Sequence, residues 1–241
     1  MIIFELLRSY LYYQHLVLSS KMPKSPKNIY KIISLLKKEI KQFNTPIVTE
    51  VSRKKDPFRV LISCLLSLRT KDATTAKASK KLFQLAKTPR QMLKLSKKQV
   101  EKIIYPVGFY PTKAKYIQKV CKILLKKYNG KVPNEEKKLL ELPGIGRKCM
   151  GIVMCYGFNK NSHIPVDTHV HKLTNRLCWV KTKTPEKTEL ALMKIIPKKY
   201  WHDLNNLLVA HGQNICTPIS PFCSKCFIRK YCPRVGVSKS R

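Results

Sequence analysis

The chain has 241 residues, 44% of them hydrophobic, so it is long enough to bury a core and to form one large domain or two small ones. Its 49 Lys and Arg residues against 13 Asp and Glu residues give a formal net charge of +36, which attracts phosphate backbones and favours a nucleic-acid partner. A general excess of lysine on solvated faces would give the same charge, so composition alone leaves that alternative open.

Residues 1–21 form an apolar N-terminal extension that is interrupted by charged residues such as Glu5 and Arg8. The extension lacks the basic start and the small-residue cleavage site of a secretory signal, and its charges argue against a membrane span. We interpret it as a dispensable extension or a misassigned start before Met22, with a short amphipathic anchor as the lesser alternative.

Apolar residues at helical spacing recur through the rest of the chain, as at Ile29, Ile33 and Leu36, and sustained alternation with a period of two is absent. The sequence therefore predicts an all-α protein. Several helix starts are marked by a residue that can cap an N-terminus: Asp56, Asp72, Thr88, Ser96 and Thr184. The pair Asn129-Gly130 marks a helix stop.

Residues 135–160 predict two helices joined by a tight turn at Leu142–Gly146, with the second helix beginning near Arg147. Gly144 and Gly146 allow the backbone to approach another molecule closely. Because the unpaired N–H groups at a helix N-terminus suit a phosphate, the turn is a candidate DNA-binding element. A compact corner between two helices is the structural alternative.

Lys148 lies one or two residues inside that second helix, and a lysine amine can attack a sugar carbon to form a Schiff base. Asp167 follows Pro165 at the start of the next helical run, where it can stabilise positive charge on a sugar as a base leaves or can simply cap the helix. The two residues are a candidate catalytic pair. We interpret the nearby His169 and His171 as packing residues and not as metal ligands.

Four of the nine cysteines, Cys216, Cys223, Cys226 and Cys232, have the spacing C-x6-C-x2-C-x5-C. The other five are dispersed through apolar stretches, so the pattern indicates a metal site in a reducing, intracellular compartment and not a set of disulfides. Four thiolates suit an iron–sulfur cluster or zinc, and the spacing favours the cluster. Either metal would hold together a basic loop that can lie along DNA.

Taken together, Leu142–Lys148, Val166–His169 and the cysteine tail closely resemble the endonuclease III family of helix-hairpin-helix (HhH-GPD) DNA glycosylases and AP lyases. The resemblance implies that Lys148 is the nucleophile, that Asp167 assists it, and that the four cysteines bind a 4Fe-4S cluster. It also implies base excision repair: removal of oxidised pyrimidines from double-stranded DNA by a bifunctional N-glycosylase, then nicking 3′ to the apurinic or apyrimidinic (AP) site by β-elimination.

The resemblance further implies a two-domain HhH-GPD fold. A six-helix domain at residues 51–160 contains the hairpin and is inserted into a discontinuous iron–sulfur cluster domain made of residues 22–50 and 161–241. DNA is expected across the cleft between them. The protein is expected to be a monomer associated with DNA and not with a membrane, in the cytoplasm or nucleoid of a prokaryote or in the nucleus of a eukaryote.

Two more positions match residues that recover the cost of flipping a nucleotide out of the stack. Arg69 stands where many relatives have a glutamine that fills the vacated space, and Phe109 stands where many have a leucine wedge. These departures bear on lesion and opposite-base preference. A buried core aromatic is the structural alternative for Phe109. With these two, the candidate DNA-binding residues are Arg69, Phe109, Gly144, Gly146 and Arg147.

Other functions remain as alternatives. Adenine-mismatch and thymine-mismatch glycosylases of the same superfamily usually lack a lysine at the Lys148 position, and oxidised-guanine glycosylases generally lack the cluster. A monofunctional mismatch glycosylase is therefore the related alternative. A non-catalytic DNA-binding module with a zinc site is the alternative from a different class.

Overall fold

The structure is a computed structural model that describes residue 26, residues 28–43 and residues 56–241. These residues are helical and contain no β-strand, which confirms the predicted all-α class. The N-terminal extension and the predicted domain boundary at residue 51 lie outside them. In the same ranges, no helix is long and apolar enough to cross a membrane.

The α-helices are short or of medium length and are joined by turns and 3₁₀ segments. In chain order they are α1 (Ile29–Glu39), α2 (Pro57–Ser67), α3 (Asp72–Leu85), α4 (Pro89–Lys94), α5 (Lys97–Ile104), α6 (Tyr110–Tyr128), α7 (Glu136–Leu140), α8 (Arg147–Ile152), α9 (Thr168–Arg176), α10 (Pro185–Ile195) and α11 (Trp201–Asn214). Helix α8 continues into a π-helical turn at Val153–Gly157.

Side-chain caps set most of the helix starts that the sequence predicts. The confirmed caps accept hydrogen bonds from backbone N–H groups of the first turn: Asp56, Thr88, Ser96 and Thr184. The prediction was wrong by one residue at α3, where Lys71 occupies the N-cap position and Asp72 lies in the first turn. An acidic residue in a first turn still suits the positive end of the helix dipole.

The buried apolar side chains form two clusters. The first is built from α2 to α8 and runs from Phe58 to Tyr156. The second combines α1 with the chain from Ile164 to Ile228. Helix α1 joins the second cluster because its apolar residues recur every third or fourth position and face one side. The chain crosses from the first cluster to the second between α8 and α9. Of the candidate catalytic pair, Lys148 therefore lies on the side of the first cluster and Asp167 on the side of the second.

Candidate active site

The hairpin turn between α7 and α8 uses its two glycines differently. Gly144 has a φ of +79°, and a Cβ there would lie 2.6 Å from Cδ2 of Tyr116, so this position needs glycine for both conformation and space. A Cβ at Gly146 would meet nothing within 4 Å. Gly146 is the N-cap of α8, which begins at Arg147 as the sequence predicts. The turn therefore leaves open space beside the N-terminus of α8.

Lys148 and Asp167 come together at the start of α8 and α9. Nζ of Lys148 lies 3.5 Å from Oδ2 of Asp167, and the two side chains are 36% and 13% exposed. The other carboxylate oxygen, Oδ1, accepts hydrogen bonds of 2.9 Å from the backbone N–H groups of His169 and Val170. Asp167 thus caps α9 with one oxygen and faces the lysine with the other, which confirms the cap and leaves its catalytic role a prediction.

An open cleft of about 440 Å³ contains this pair, and Arg69 lies on its wall. Its volume falls in the range of small-ligand sites. Sequence reasoning missed two polar residues of α11 in its lining, Asn205 and Gln213. Asn205 donates a 2.8 Å hydrogen bond to the Pro165 carbonyl and so holds the segment before Asp167. No sequence motif marks these two positions, because only the packing of α11 against α9 brings them to the cleft.

Arg147 lies in a chain of charged groups behind the hairpin. Its Nε lies 2.6 Å from Oε2 of Glu189, and Oε1 of Glu189 lies 2.8 Å from Nδ1 of the buried His163. Nε2 of His163 lies 2.9 Å from Oε1 of Glu136. Burial opposes protonation, but the two carboxylates outweigh it and raise the pKa of His163. These contacts tie α7 and α8 to α10, and a DNA-binding role for Arg147 stays a prediction.

Arg69 and Phe109 meet although they belong to different loops. The guanidinium carbon of Arg69 lies 5.7 Å from the centre of the Phe109 ring. Both residues have left-handed backbones, with φ values of +50° and +56°. Phe109 is 61% exposed, so its interpretation as a buried core aromatic is wrong. An exposed aromatic ring with a guanidinium beside it can stack on bases or replace one.

The two histidines after Asp167 make contacts within the protein. A Cβ on Gly212 would lie 2.7 Å from Nδ1 of His169, so that ring packs closely on the backbone of α11. Nδ1 of His171 lies 2.6 Å from the hydroxyl oxygen of Thr188. Within the described ranges, no group of three or more His, Cys, Asp or Glu side chains is arranged to hold a metal ion.

The four clustered cysteines all line one cavity beside α9 and α11. Arg176 donates a 3.1 Å hydrogen bond to Sγ of Cys216, and Nε2 of His211 lies 3.8 Å from Sγ of Cys226. Burial raises the pKa of the Cys216 thiol, but His211 and Arg176 outweigh burial and lower it overall. The thiolate is the form that binds metals. The shared cavity and the favoured thiolate at Cys216 suit cysteine ligands, although the four side chains do not form a preassembled metal site in the part of the chain that the structure describes.

The five dispersed cysteines are free thiols, and none of the nine forms a disulfide. Burial raises the pKa of Cys121 and of Cys155 to about 12, so these thiols are poor nucleophiles. Cys178 is exposed in a turn after α9. The sequence had placed it in an apolar stretch, and for this cysteine that prediction was wrong.

Known proteins resemble this chain in sequence. A family model described as "HhH-GPD superfamily base excision DNA repair protein" matches residues 62–198. Endonuclease III of Thermotoga maritima is 48% identical over 177 residues, which cover 73% of this chain and 83% of that protein. Endonuclease III-like protein 1 of Gallus gallus is 42% identical over 178 residues, but the chain spans only 63% of its length.

A solved structure shows the same likeness in three dimensions. It is a trapped endonuclease III–DNA covalent intermediate, an estranged-adenine complex. The two chains are 32% identical, with a TM-score of 0.76 over 86% of this chain and 95% of that chain. The family model covers more than half of this chain, and the T. maritima relative is matched over most of its length. The chain therefore belongs to the endonuclease III family of the HhH-GPD superfamily.

Proposed function

We propose that this chain is a bifunctional DNA glycosylase and AP lyase of base excision repair, which removes oxidised pyrimidines from duplex DNA and nicks the strand 3′ to the abasic site. The observation that carries the proposal is the Lys148–Asp167 contact in an open cleft. The trapped covalent DNA intermediate of a relative supports it, since a covalent intermediate needs a nucleophile of this kind.

Lys148 is the nucleophile in the proposed reaction. Its uncharged Nζ attacks C1′ of the flipped nucleotide, and the bond from C1′ to the base nitrogen breaks with its electron pair leaving on the base. Oδ2 of Asp167 stabilises the positive charge that develops on the sugar. The C1′–O4′ bond then breaks with its electron pair on O4′, which takes up the proton lost from Nζ, and C1′ and Nζ form a Schiff base. Removal of a C2′ proton then expels the 3′ phosphate by β-elimination.

The proposed DNA contacts surround this pair. The open space at Gly146 supports a phosphate at the N-terminus of α8, which the backbone N–H groups there would bind. Arg69 and Phe109 would enter the duplex where the flipped nucleotide leaves it. The net charge of +36 supplies long-range attraction to the DNA backbone.

The four cysteines would hold a 4Fe-4S cluster, which supplies a structural cross-link to the C-terminal loop. Exposed basic side chains on that loop would follow the DNA backbone: Lys225, Arg229, Lys230 and Arg234. Protein purified without oxygen should be brown and contain iron and sulfide. A colourless protein with stoichiometric zinc would favour the DNA-binding module.

The domain division also belongs to the proposal. We infer one domain over residues 51–160 and a second from residues 22–50 and 161–241, which the two separate hydrophobic clusters support. DNA would lie across the boundary, where Lys148 and Asp167 meet. The protein would act as a monomer wherever the cell keeps its DNA, in the nucleoid or in the nucleus.

A duplex oligonucleotide with one oxidised pyrimidine and a labelled 5′ end tests the proposed function. We expect release of the free base together with a shorter labelled strand. Base release with an intact strand would favour a monofunctional glycosylase. Tight binding without base release or nicking would contradict enzymatic function and favour the binding module.

A further inference from the structure

Lys113 is a buried lysine of α6 that the proposed reaction does not use. Its side chain is 5% exposed, which is unusual for lysine. Nζ donates to the carbonyl oxygens of Leu66, at 2.8 Å, and Leu68, and to the hydroxyl oxygen of Thr70, at 3.0 Å. An ammonium group has three protons, so these acceptors use its full donor capacity.

Leu66 lies in the last turn of α2, and Leu68 and Thr70 flank Arg69 in the segment that joins α2 to α3. Thr70 extends the contact to a second loop, because its hydroxyl oxygen also accepts a 3.2 Å hydrogen bond from the backbone N–H of Gly108. The backbones of the two loops touch there, since a Cβ on Gly108 would lie 2.6 Å from the carbonyl oxygen of Arg69. Lys113 therefore binds directly to the Arg69 loop and, through Thr70, to the loop that carries Phe109.

The same lysine is tied to the Phe109 loop through the backbone as well. Its N–H donates a 3.0 Å hydrogen bond to the carbonyl oxygen of Phe109, in the first turn of α6. Arg69 and Phe109 are both non-glycine residues with positive φ, a strained conformation that persists only where the surroundings impose it. The hydrogen bonds of Lys113 and Thr70 are such surroundings.

We infer that Lys113 is a positioning residue that holds Arg69 and Phe109 as a single unit, so that both side chains enter the duplex together when a nucleotide leaves the stack. The inference rests on the proposed function. Without the ammonium group, the carbonyl oxygens of Leu66 and Leu68 and the hydroxyl oxygen of Thr70 each lose a donor, so the two loops are held less firmly against each other. The extruded state of duplex DNA would then be less well supported, because the two side chains are no longer preorganised.

Two substrates separate positioning from general structural damage. One is a duplex with an oxidised pyrimidine, in which a nucleotide must leave the stack. The other is a single strand with a preformed abasic site, in which no stack has to be opened and only Lys148 chemistry is needed. A residue that acts through Arg69 and Phe109 affects the first substrate, whereas a residue needed for folding affects both.

The Lys113→Met variant should lose about 10- to 100-fold in kcat/KM on the duplex and less than about two-fold on the single strand. In a Phe109→Ala background, the same substitution should cost little more, because both changes disable one unit. Equal losses on the two substrates, or full additivity with Phe109→Ala, would overturn the inference. If the wild-type protein cleaves neither substrate, the proposed function fails instead.

Thr70 supplies a matched pair of variants in case Lys113→Met does not fold. Thr70→Val keeps the shape of the side chain but loses the hydroxyl group that links Lys113 to Gly108, whereas Thr70→Ser keeps the hydroxyl group. We expect Thr70→Val to show the selective loss on the duplex and Thr70→Ser to retain activity on both substrates. A Thr70→Val variant with wild-type activity on the duplex would overturn the inference.

Discussion

Nζ of Lys148 lies 3.5 Å from Oδ2 of Asp167, while Oδ1 of the same carboxylate caps α9. The Asp167 side chain therefore caps a helix with one oxygen atom and faces Lys148 in the cleft with the other. The two roles can be separated by substitution, because asparagine keeps a capping oxygen but removes the negative charge.

We predict that Asp167→Asn slows base release by on the order of 10²- to 10³-fold, since the charge that faces the developing cation is lost. Its free energy of unfolding should stay within about 0.5 kcal/mol of wild type because the cap is retained. Asp167→Ala should slow base release to a similar extent and also lower stability by about 1 kcal/mol. Single-turnover kinetics and urea unfolding measure the two effects. An unaltered rate in Asp167→Asn would reduce Asp167 to a helix cap.

The two glycines of the hairpin predict opposite phenotypes. Gly144→Ala forces a positive φ and a contact with Tyr116, so it should lower the free energy of unfolding by about 1–3 kcal/mol. Gly146→Ala has open space and an ordinary φ of −99°, so it should lower stability less than Gly144→Ala, by the cost of a poorer N-cap, but it should weaken DNA binding by filling the space for a phosphate. Urea unfolding and fluorescence anisotropy with duplex DNA test the pair. Wild-type affinity in Gly146→Ala would contradict phosphate binding at this turn.

The buried His163 predicts a pH dependence of stability. Its pKa is raised by Glu189 and Glu136 despite burial, so the folded state binds the proton more tightly than the unfolded state does. The resulting stabilisation is complete below the unfolded pKa of about 6.5 and is lost as pH rises through the raised folded pKa. The difference in unfolding free energy between wild type and His163→Gln should therefore be larger at pH 6 than at pH 9. A difference that does not change with pH would contradict this assignment.

Cysteine substitutions test the proposed cluster. Cys226→Ser removes a thiol that lines the shared cavity, so the purified protein should lose most of its iron and sulfide. Cys178→Ser is the matched control, because Cys178 is exposed and does not line that cavity. Iron and sulfide content should be unchanged in the control. Equal metal content in Cys226→Ser and wild type would contradict the ligand set.

Sequence reasoning predicts those features that depend on residues close to one another in the chain. Caps such as Ser96 and Thr184 lie next to the helices that they start, and the hairpin turn is marked by its own glycines. Lys148 and Asp167 could be identified because each belongs to a short motif. Their distance, in contrast, depends on how the two hydrophobic clusters meet.

The features that sequence reasoning missed depend on contacts between distant residues. Arg147 pairs with Glu189, 42 positions away, and Lys113 bonds to Leu66, 47 positions away. Nothing local distinguishes Lys113 from the many solvated lysines of this chain, since its burial follows from the packing of α6 against α2. The same reasoning explains why Gln213 was not predicted to lie in the cleft.

Borohydride trapping shows whether Lys148 forms a covalent bond with DNA. The protein is incubated with duplex DNA that carries an abasic site, reduced, and examined for a covalent complex. We expect a trapped complex with wild type, none with Lys148→Gln, and a normal amount with Lys122→Gln, which removes the same charge from the exposed face of α6. A complex that persists in Lys148→Gln, or its absence in wild type despite tight DNA binding, would contradict the assignment of Lys148 as the nucleophile.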